Sequence, residues 1–125
     1  MRSRDSVVRL KRFQVEDRKR QLKQIDGMIA DFDRMSNELD VQIDAEKERT
    51  GINDPSHFAY STFARAAEQR RENMRASVAE LRVQREVAAA DLNAAQEELA
   101  KLEALVERDQ GGREEGEEAK PGEVA

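Results

Sequence analysis

The chain has 125 residues, of which 39% are charged and only 4% aromatic, and it carries a net charge of −5 with no Trp and no Cys. A compact domain of this length needs a thick core of large apolar side chains. Here Ala, Leu, Val and Ile are spread thinly among charged residues, which excludes such a core and is typical of long helices with a narrow apolar stripe.

Charge is distributed unevenly along the chain. Residues 1–24 contain nine Arg or Lys against three acidic residues, whereas the last stretch, from Glu107 onward, is rich in Glu. A basic end can contact nucleic acid, anionic lipid or an acidic partner within the same chain. Charge alone leaves these alternatives open.

The spacing of apolar residues predicts a first helix over about 4–50. Alternating steps of three and four residues define a first seam. It consists of Val8, Lys11, Val15, Arg18, Leu22, Ile25, Ile29, Phe32, Ser36, Leu39, Ile43 and Glu46. Between 22 and 43 every position but Ser36 is apolar, which is typical of a coiled-coil helix. Gly51 follows a cationic last turn and predicts the helix end.

The segment 51–60, GINDPSHFAY, breaks the period and predicts a turn. Asp54 can cap a helix and Pro55 suits a first helical turn, so a second helix is predicted over about 55–109. A later start at Ser61 or Thr62 is the alternative.

A second seam follows the turn at the same spacing. It consists of Tyr60, Ala64, Ala67, Arg71, Met74, Val78, Leu81, Arg85, Ala88, Leu92, Ala95, Leu99, Leu102 and Val106. A solitary helix cannot bury such a stripe. Two seams of similar length joined by a short turn therefore predict an all-α fold, a long antiparallel two-helix coiled-coil hairpin over 1–109.

Charge supports this fold-back. If the chain reverses near Asp54, Arg85 lies near Asp26 and Arg18 lies near Asp91. The basic stretch 2–12 then faces acidic residues of the second helix, namely Glu97, Glu98, Glu103 and Glu107. Residues 110–125 have no period, several glycines and an acidic run, which predicts a disordered tail.

Polar residues interrupt both seams, at Lys11, Arg18, Ser36, Glu46, Arg71 and Arg85. Such residues usually specify register and oligomeric state at a cost in stability. A second role is to keep the hairpin marginally stable, so that it adapts to a partner.

The residue types disfavour catalysis. His57 is the only histidine and there is no Cys, so a nucleophile system has little to build on. No phosphate-binding glycine loop is present, and carboxylates on an exposed coiled coil are solvated. We expect no enzyme activity, no catalytic residue, no cofactor and no metal site.

The basic stretch has few aromatics beyond Phe13, which disfavours nucleic acid as a partner. No apolar run is long enough for a signal peptide or a membrane span, so the cytoplasm is the default location.

Three aromatic residues lie at or just after the turn: Phe58, Tyr60 and Phe63. One interpretation is that they cover the end of the coiled coil beside Leu39 and Ile43. The other is a docking contact for a protein, because aromatic residues are favoured in interface hot spots. Both can hold at once.

The run 1–32, MRSRDSVVRLKRFQVEDRKRQLKQIDGMIADF, and the turn segment 48–73, ERTGINDPSHFAYSTFARAAEQRREN, resemble the FliJ family of flagellar export proteins in its short alphaproteobacterial form. The resemblance covers about 1–108. The turn segment is its specific part, because coiled-coil spacing does not dictate that sequence. The resemblance implies an antiparallel coiled coil similar to the central stalk of rotary ATPases.

The resemblance further implies a partner at each of two regions. The paired termini, 2–20 with 92–108, are expected in the flagellar export ATPase ring, with Arg2, Arg4, Arg9 and Arg12 as candidate contacts. The region flanking the turn is expected at the export gate, a protein of the inner membrane, with Phe58, Tyr60 and Phe63 as candidate contacts. Export chaperones are a further expected partner, and the membrane is contacted only indirectly.

Two alternatives from other classes stay open. One is a coiled-coil adaptor of a non-flagellar secretion system. The other is a nucleic-acid-associated coiled coil that uses the basic N-terminal stretch.

Overall fold

The computed structural model describes the backbone of residues 3–124 and the side chains of residues 4–111. It contains two helices, α1 (Ser3–Thr50) and α2 (Thr62–Val124), and no strand in this part of the chain. The two helices fold back on each other as a hairpin, which confirms the predicted all-α class. Helix α2 runs past its predicted end at about 109. The side chains of 112–125 lie outside the described residues, and the predicted disorder of the tail, 110–125, stays a prediction.

Helix α1 ends where the sequence predicts. Gly51 adopts a φ of 73°, a left-handed conformation that glycine reaches without steric cost. Its N–H donates to the Lys47 carbonyl over 2.8 Å. The Thr50 hydroxyl accepts the N–H of Ile52 over 3.3 Å. Together these bonds satisfy groups that the helix end would otherwise leave unpaired.

Helix α2 begins later than the predicted residue 55. The Ser61 hydroxyl accepts the N–H of Ala64 over 3.1 Å, which is an N-cap, so the helix starts at Thr62. The start at Asp54–Pro55 is wrong because Asp54 stabilises a turn instead. Its carboxylate accepts the backbone N–H and the hydroxyl of Ser56 over 2.9 and 2.8 Å. Asp-Pro suits a turn as well as it suits a helix start.

Contacts divide the chain into two units. The terminal unit comprises Met1–Gln21 with Ala88–Ala125, and the turn unit comprises Leu22–Val87. In the turn unit the core is centred on Leu39, Ile43 and Ala67. Ile43, at 1% exposure, is the most deeply buried large side chain among the described residues.

Burial follows the spacing of the two seams in both units. Nine of the apolar seam residues are buried, namely Val8, Val15, Leu39, Ile43, Tyr60, Ala64, Ala67, Val78 and Leu81. The other eleven are half-buried, namely Leu22, Ile25, Ile29, Phe32, Met74, Ala88, Leu92, Ala95, Leu99, Leu102 and Val106. This incomplete burial is expected of two helices alone, because each has only one partner to cover its stripe.

Ion pairs between the helices specify the register. In the turn unit Arg85 pairs with Asp26, as predicted, and Arg71 pairs with Asp40 over 2.9 Å. In the terminal unit the interhelical pairs are Arg4–Asp109, Lys11–Glu98 and Arg12–Glu103. Most of these side chains are exposed, so water screens the pairs and they favour one register more than they stabilise the fold.

Candidate functional site

The predicted ATPase-contact residues differ in how much of their charge is free. Arg2 lies outside the described residues. Arg4 pairs with Asp109, and Arg12 lies 3.8 Å from a Glu103 oxygen, a long and exposed contact. Arg9 is exposed and forms no ion pair within residues 4–111. Arg9 is therefore the basic side chain of this set with the most freedom to meet an acidic partner.

Arg9 and Arg12 line a groove in the terminal unit between the two helices. Its lining comprises Asp5, Val8, Arg9, Arg12, Glu103, Val106, Glu107 and Gln110. The predicted neighbours Arg18 and Asp91 line a second groove of the same unit without forming an ion pair there. The first groove, which Arg9 and Arg12 line, carries both signs of charge. It therefore suits recognition of a polar protein surface better than recognition of a polyanion.

Lys11 shows how a cation is accommodated in a seam. Its ammonium group donates a hydrogen bond to the Glu98 carboxylate, and its side chain is only 25% exposed. This bond, followed by the charge of Lys11, lowers the pKa of Glu98 from its ordinary value. The long apolar stem of Lys11 can cover the seam while its charged head reaches the edge.

Three apolar residues of α1 in the terminal unit are exposed outside the seam. Val7, Leu10 and Phe13 are 41, 55 and 64% exposed. In the sequence Phe13 stands out only as an isolated aromatic, and Leu10 does not stand out. Leu10 and Phe13 both fall off the seam spacing in a stretch that is otherwise charged, and this feature of the sequence could have identified them as exposed.

The three turn aromatics do not form one exposed cluster. Phe58 is 97% exposed and stacks on His57 with ring centroids 4.7 Å apart. Phe63 is 51% exposed, whereas Tyr60 is only 6% exposed. Tyr60 therefore acts as a cover for the core of the turn unit, and Phe58 and Phe63 are available to a partner.

Tyr60 is held by polar contacts as well as by burial. Its hydroxyl donates to the Glu68 carboxylate, which raises the pKa of Tyr60. Glu68 also lies 3.6 Å from the Lys47 ammonium group of α1. The Arg65 guanidinium stacks over the Tyr60 ring at 5.4 Å and donates to the Pro55 carbonyl over 2.9 Å. The turn is thereby tied to the start of α2.

His57 has a structural role in this turn. Its backbone N–H donates to the Asp54 carbonyl, and its own carbonyl accepts the N–H of Tyr60, both over 3.0 Å. Its ring nitrogen Nδ1 accepts the N–H of Ala59 over 3.0 Å.

Arg71 is a polar seam residue that pairs with the opposite helix. Its guanidinium donates to Asp40 over 2.9 Å, and this hydrogen bond raises the pKa of Arg71. The Nε atom is buried without a hydrogen bond, although a Glu72 oxygen lies 3.4 Å away. The unsatisfied nitrogen of Arg71 lowers the stability of the fold. A polar residue in the seam also favours one register of the two helices.

No family model, no curated protein and no solved structure matches this chain. Neither helix has a segment in the described part of the chain that is long and apolar enough to cross a membrane. The described residues also hold no group of three or more side chains of the metal-binding types placed to share an ion.

Proposed function

We propose that this protein is a stalk-like component of the flagellar protein export apparatus that couples the export ATPase to the export gate. The observation that carries the proposal is the resemblance of the turn segment 48–73 to the FliJ family, in a chain that folds as the helical hairpin this resemblance implies. It acts by binding other proteins and has neither an enzymatic activity nor a cofactor. Export chaperones are further partners.

The terminal unit is the proposed ATPase contact. It pairs the basic stretch with the last part of α2 through three interhelical ion pairs. The pairs occupy Arg4 and Lys11, whereas Arg12 is held only by a long, exposed contact with Glu103, so Arg9 and Arg12 chiefly carry the contact. The exposed Leu10 and Phe13 beside them supply the apolar area that a charge pair alone lacks.

The turn is the proposed gate contact. Phe58 exposes nearly all of its surface and Phe63 about half. Phe58 lies on a turn that several hydrogen bonds hold in place. Tyr60 is buried beneath this surface, so it supports Phe58 and Phe63 without contacting a partner itself. The gate is a membrane protein, so this interaction would place the chain at the cytoplasmic face of the inner membrane.

The alternatives predict different partners. An adaptor of a non-flagellar secretion system would share the hairpin and bind another export ATPase. A nucleic-acid-associated coiled coil is disfavoured, because ion pairs occupy much of the basic stretch, including Lys19 with Glu16 and Arg20 with Asp17. Free cations that follow a phosphate backbone are what such a function requires.

The experiment measures binding of the full chain to the purified flagellar export ATPase. Arg9→Glu with Arg12→Glu should weaken binding by at least about tenfold, and the loss should be larger at low salt, where charges are less screened. The matched control is Arg34→Glu with Arg70→Glu, which makes the same charge change in the turn unit. If both pairs weaken binding equally, or neither does, the proposed ATPase contact is refuted.

A second measurement addresses the turn. Phe58→Ala should leave ATPase binding unchanged and should reduce both gate binding and swimming motility. Val83→Ala, which truncates another exposed apolar residue, on α2, is its control. Wild-type motility in a strain that carries only the Phe58→Ala protein would contradict the proposed gate contact.

A further inference from the structure

The two edges of the turn unit differ in charge. In a coiled coil the residues that flank the seam form two edges, one on each side. One edge of α1 carries a charge at every seventh residue, and each of these residues forms an ion pair with α2. These residues, called the ionic edge, are Asp26, Asp33, Asp40 and Lys47.

The opposite edge of the same unit has no charge over its central part. On α1 its positions are Met28, Met35 and Gln42, and on α2 the facing positions are Ser77 and Gln84. We call these five residues the uncharged edge. It ends toward the turn at Arg70. In a chain with 39% charged residues, one edge is fully charged and the other is not.

The uncharged edge also leaves apolar area exposed. Met28 and Met35 are 44 and 38% exposed. The adjoining seam residues Ile29 and Phe32 are only half-buried, whereas Ile43 nearer the turn is fully buried. An edge with this composition is typical of helices that pack against a third helix, because its apolar stripe is wider than one partner covers. Methionine adapts its shape to such a partner.

The charges beside this edge indicate which helix would cover it. Asp31 and Glu38 lie one helical turn from Met28 and Met35, and Glu80 lies between Ser77 and Gln84. Arg34 contacts Asp31 and Glu38 only at 3.5 and 4.0 Å, with all three side chains exposed. Glu80 has no ion pair within the described residues. The apolar area is therefore bordered by acidic side chains on both helices.

We infer that the uncharged edge docks an amphipathic helix of another protein, with an apolar stripe bordered by Lys or Arg. Such a helix would cover Met28 and Met35 and place its cations against Asp31, Glu38 and Glu80. A second copy of this chain fits less well, because it would bring one acidic border against another. The inference does not depend on the flagellar assignment.

The test uses the full chain and three synthetic labelled peptides of about 20 residues. The first has leucines at helical spacing bordered by lysines, the second has the same leucines bordered by glutamates, and the third is a scramble of the first. Fluorescence anisotropy should show that the lysine peptide binds and that the other two bind at least about tenfold more weakly.

Variants locate the site. Met28→Glu with Met35→Glu should weaken binding of the lysine peptide by at least about tenfold. The control, Val41→Glu with Val83→Glu, introduces the same charges at exposed apolar residues that lie off both edges, and should change affinity by less than about twofold. Circular dichroism checks the helicity of each variant. If the Met→Glu pair is misfolded, Met28→Gln with Met35→Gln replaces it, with the same expected direction.

Several results would overturn the inference. One is the absence of peptide binding up to about 1 mM. Others are equal binding of the scrambled or glutamate peptide, and equal losses from the two variant pairs. A concentration-dependent dimer in sedimentation that Met28→Glu with Met35→Glu abolishes would assign the edge to a second copy instead.

Discussion

Truncation of one seam residue at a time tests whether burial in the turn unit determines stability. Ile43 is 1% exposed and packs in the cluster with Leu39 and Ala67. Ile43→Ala removes buried apolar area and leaves a cavity, so it should lower the free energy of unfolding by about 2–4 kcal/mol. This is a large share of the stability of a small domain.

Truncation to Ala at two other positions of α1 shows how the loss of stability should vary with burial. Ile29 is half-buried, so Ile29→Ala should cost less, about 1–2 kcal/mol. Val41 is 70% exposed, and Val41→Ala should change the free energy of unfolding by less than about 0.5 kcal/mol. The expected order of destabilisation is therefore Ile43, then Ile29, then Val41.

Urea unfolding followed by circular dichroism at 222 nm, the usual helix band, measures the three changes, provided that the slope against urea stays constant. A changed slope would indicate that one unit unfolds before the other. If Val41→Ala costs as much as Ile43→Ala, or if Ile43→Ala costs less than about 0.5 kcal/mol, the burial pattern does not describe the folded protein.

Three further predictions concern the helix ends and pH. Gly51→Ala should destabilise the fold by about 1 kcal/mol, because Gly51 has a positive φ that alanine rarely adopts, and thermal unfolding measures the loss. Ser61→Ala should cost about 1 kcal/mol and Ser61→Asp much less, since aspartate also caps; equal losses would contradict the N-cap. The pKa of Glu98 is lowered by Lys11, so its stabilising contribution is present above the ordinary carboxyl pKa and is lost as the pH falls through the lower folded-state value. The melting temperature should therefore fall on acidification from about pH 5 to 3, and Glu98→Gln should reduce that fall; an unchanged pH dependence in the variant would refute the linkage.

The candidate sites were predictable from the sequence only in part. The fold-back register could be checked in advance, because charges recur at seam spacing, and Arg85 indeed lies beside Asp26. The difference among Phe58, Tyr60 and Phe63 was not predictable. Their order along a turn does not say which ring faces the core, and only the packing of Tyr60 against the hairpin decides it.

The start of α2 also depended on the tertiary structure. Asp54–Pro55 and Ser61 each satisfy the local chemistry of a helix start. Residues 55–60 must instead carry the chain from α1 to α2, and the hydrogen bonds of Asp54 and His57 stabilise that turn.

The sequence by itself determined that the chain forms two helices, that each has one apolar seam, and that α1 ends just before Gly51. These features are local, since they follow from spacing along one helix and from the backbone freedom of glycine. Only the tertiary structure decided which seam residues are buried deeply and how much of Met28 and Met35 stays exposed at the uncharged edge. Those features depend on how two helices face each other, and residues distant along the chain come together only when the hairpin forms.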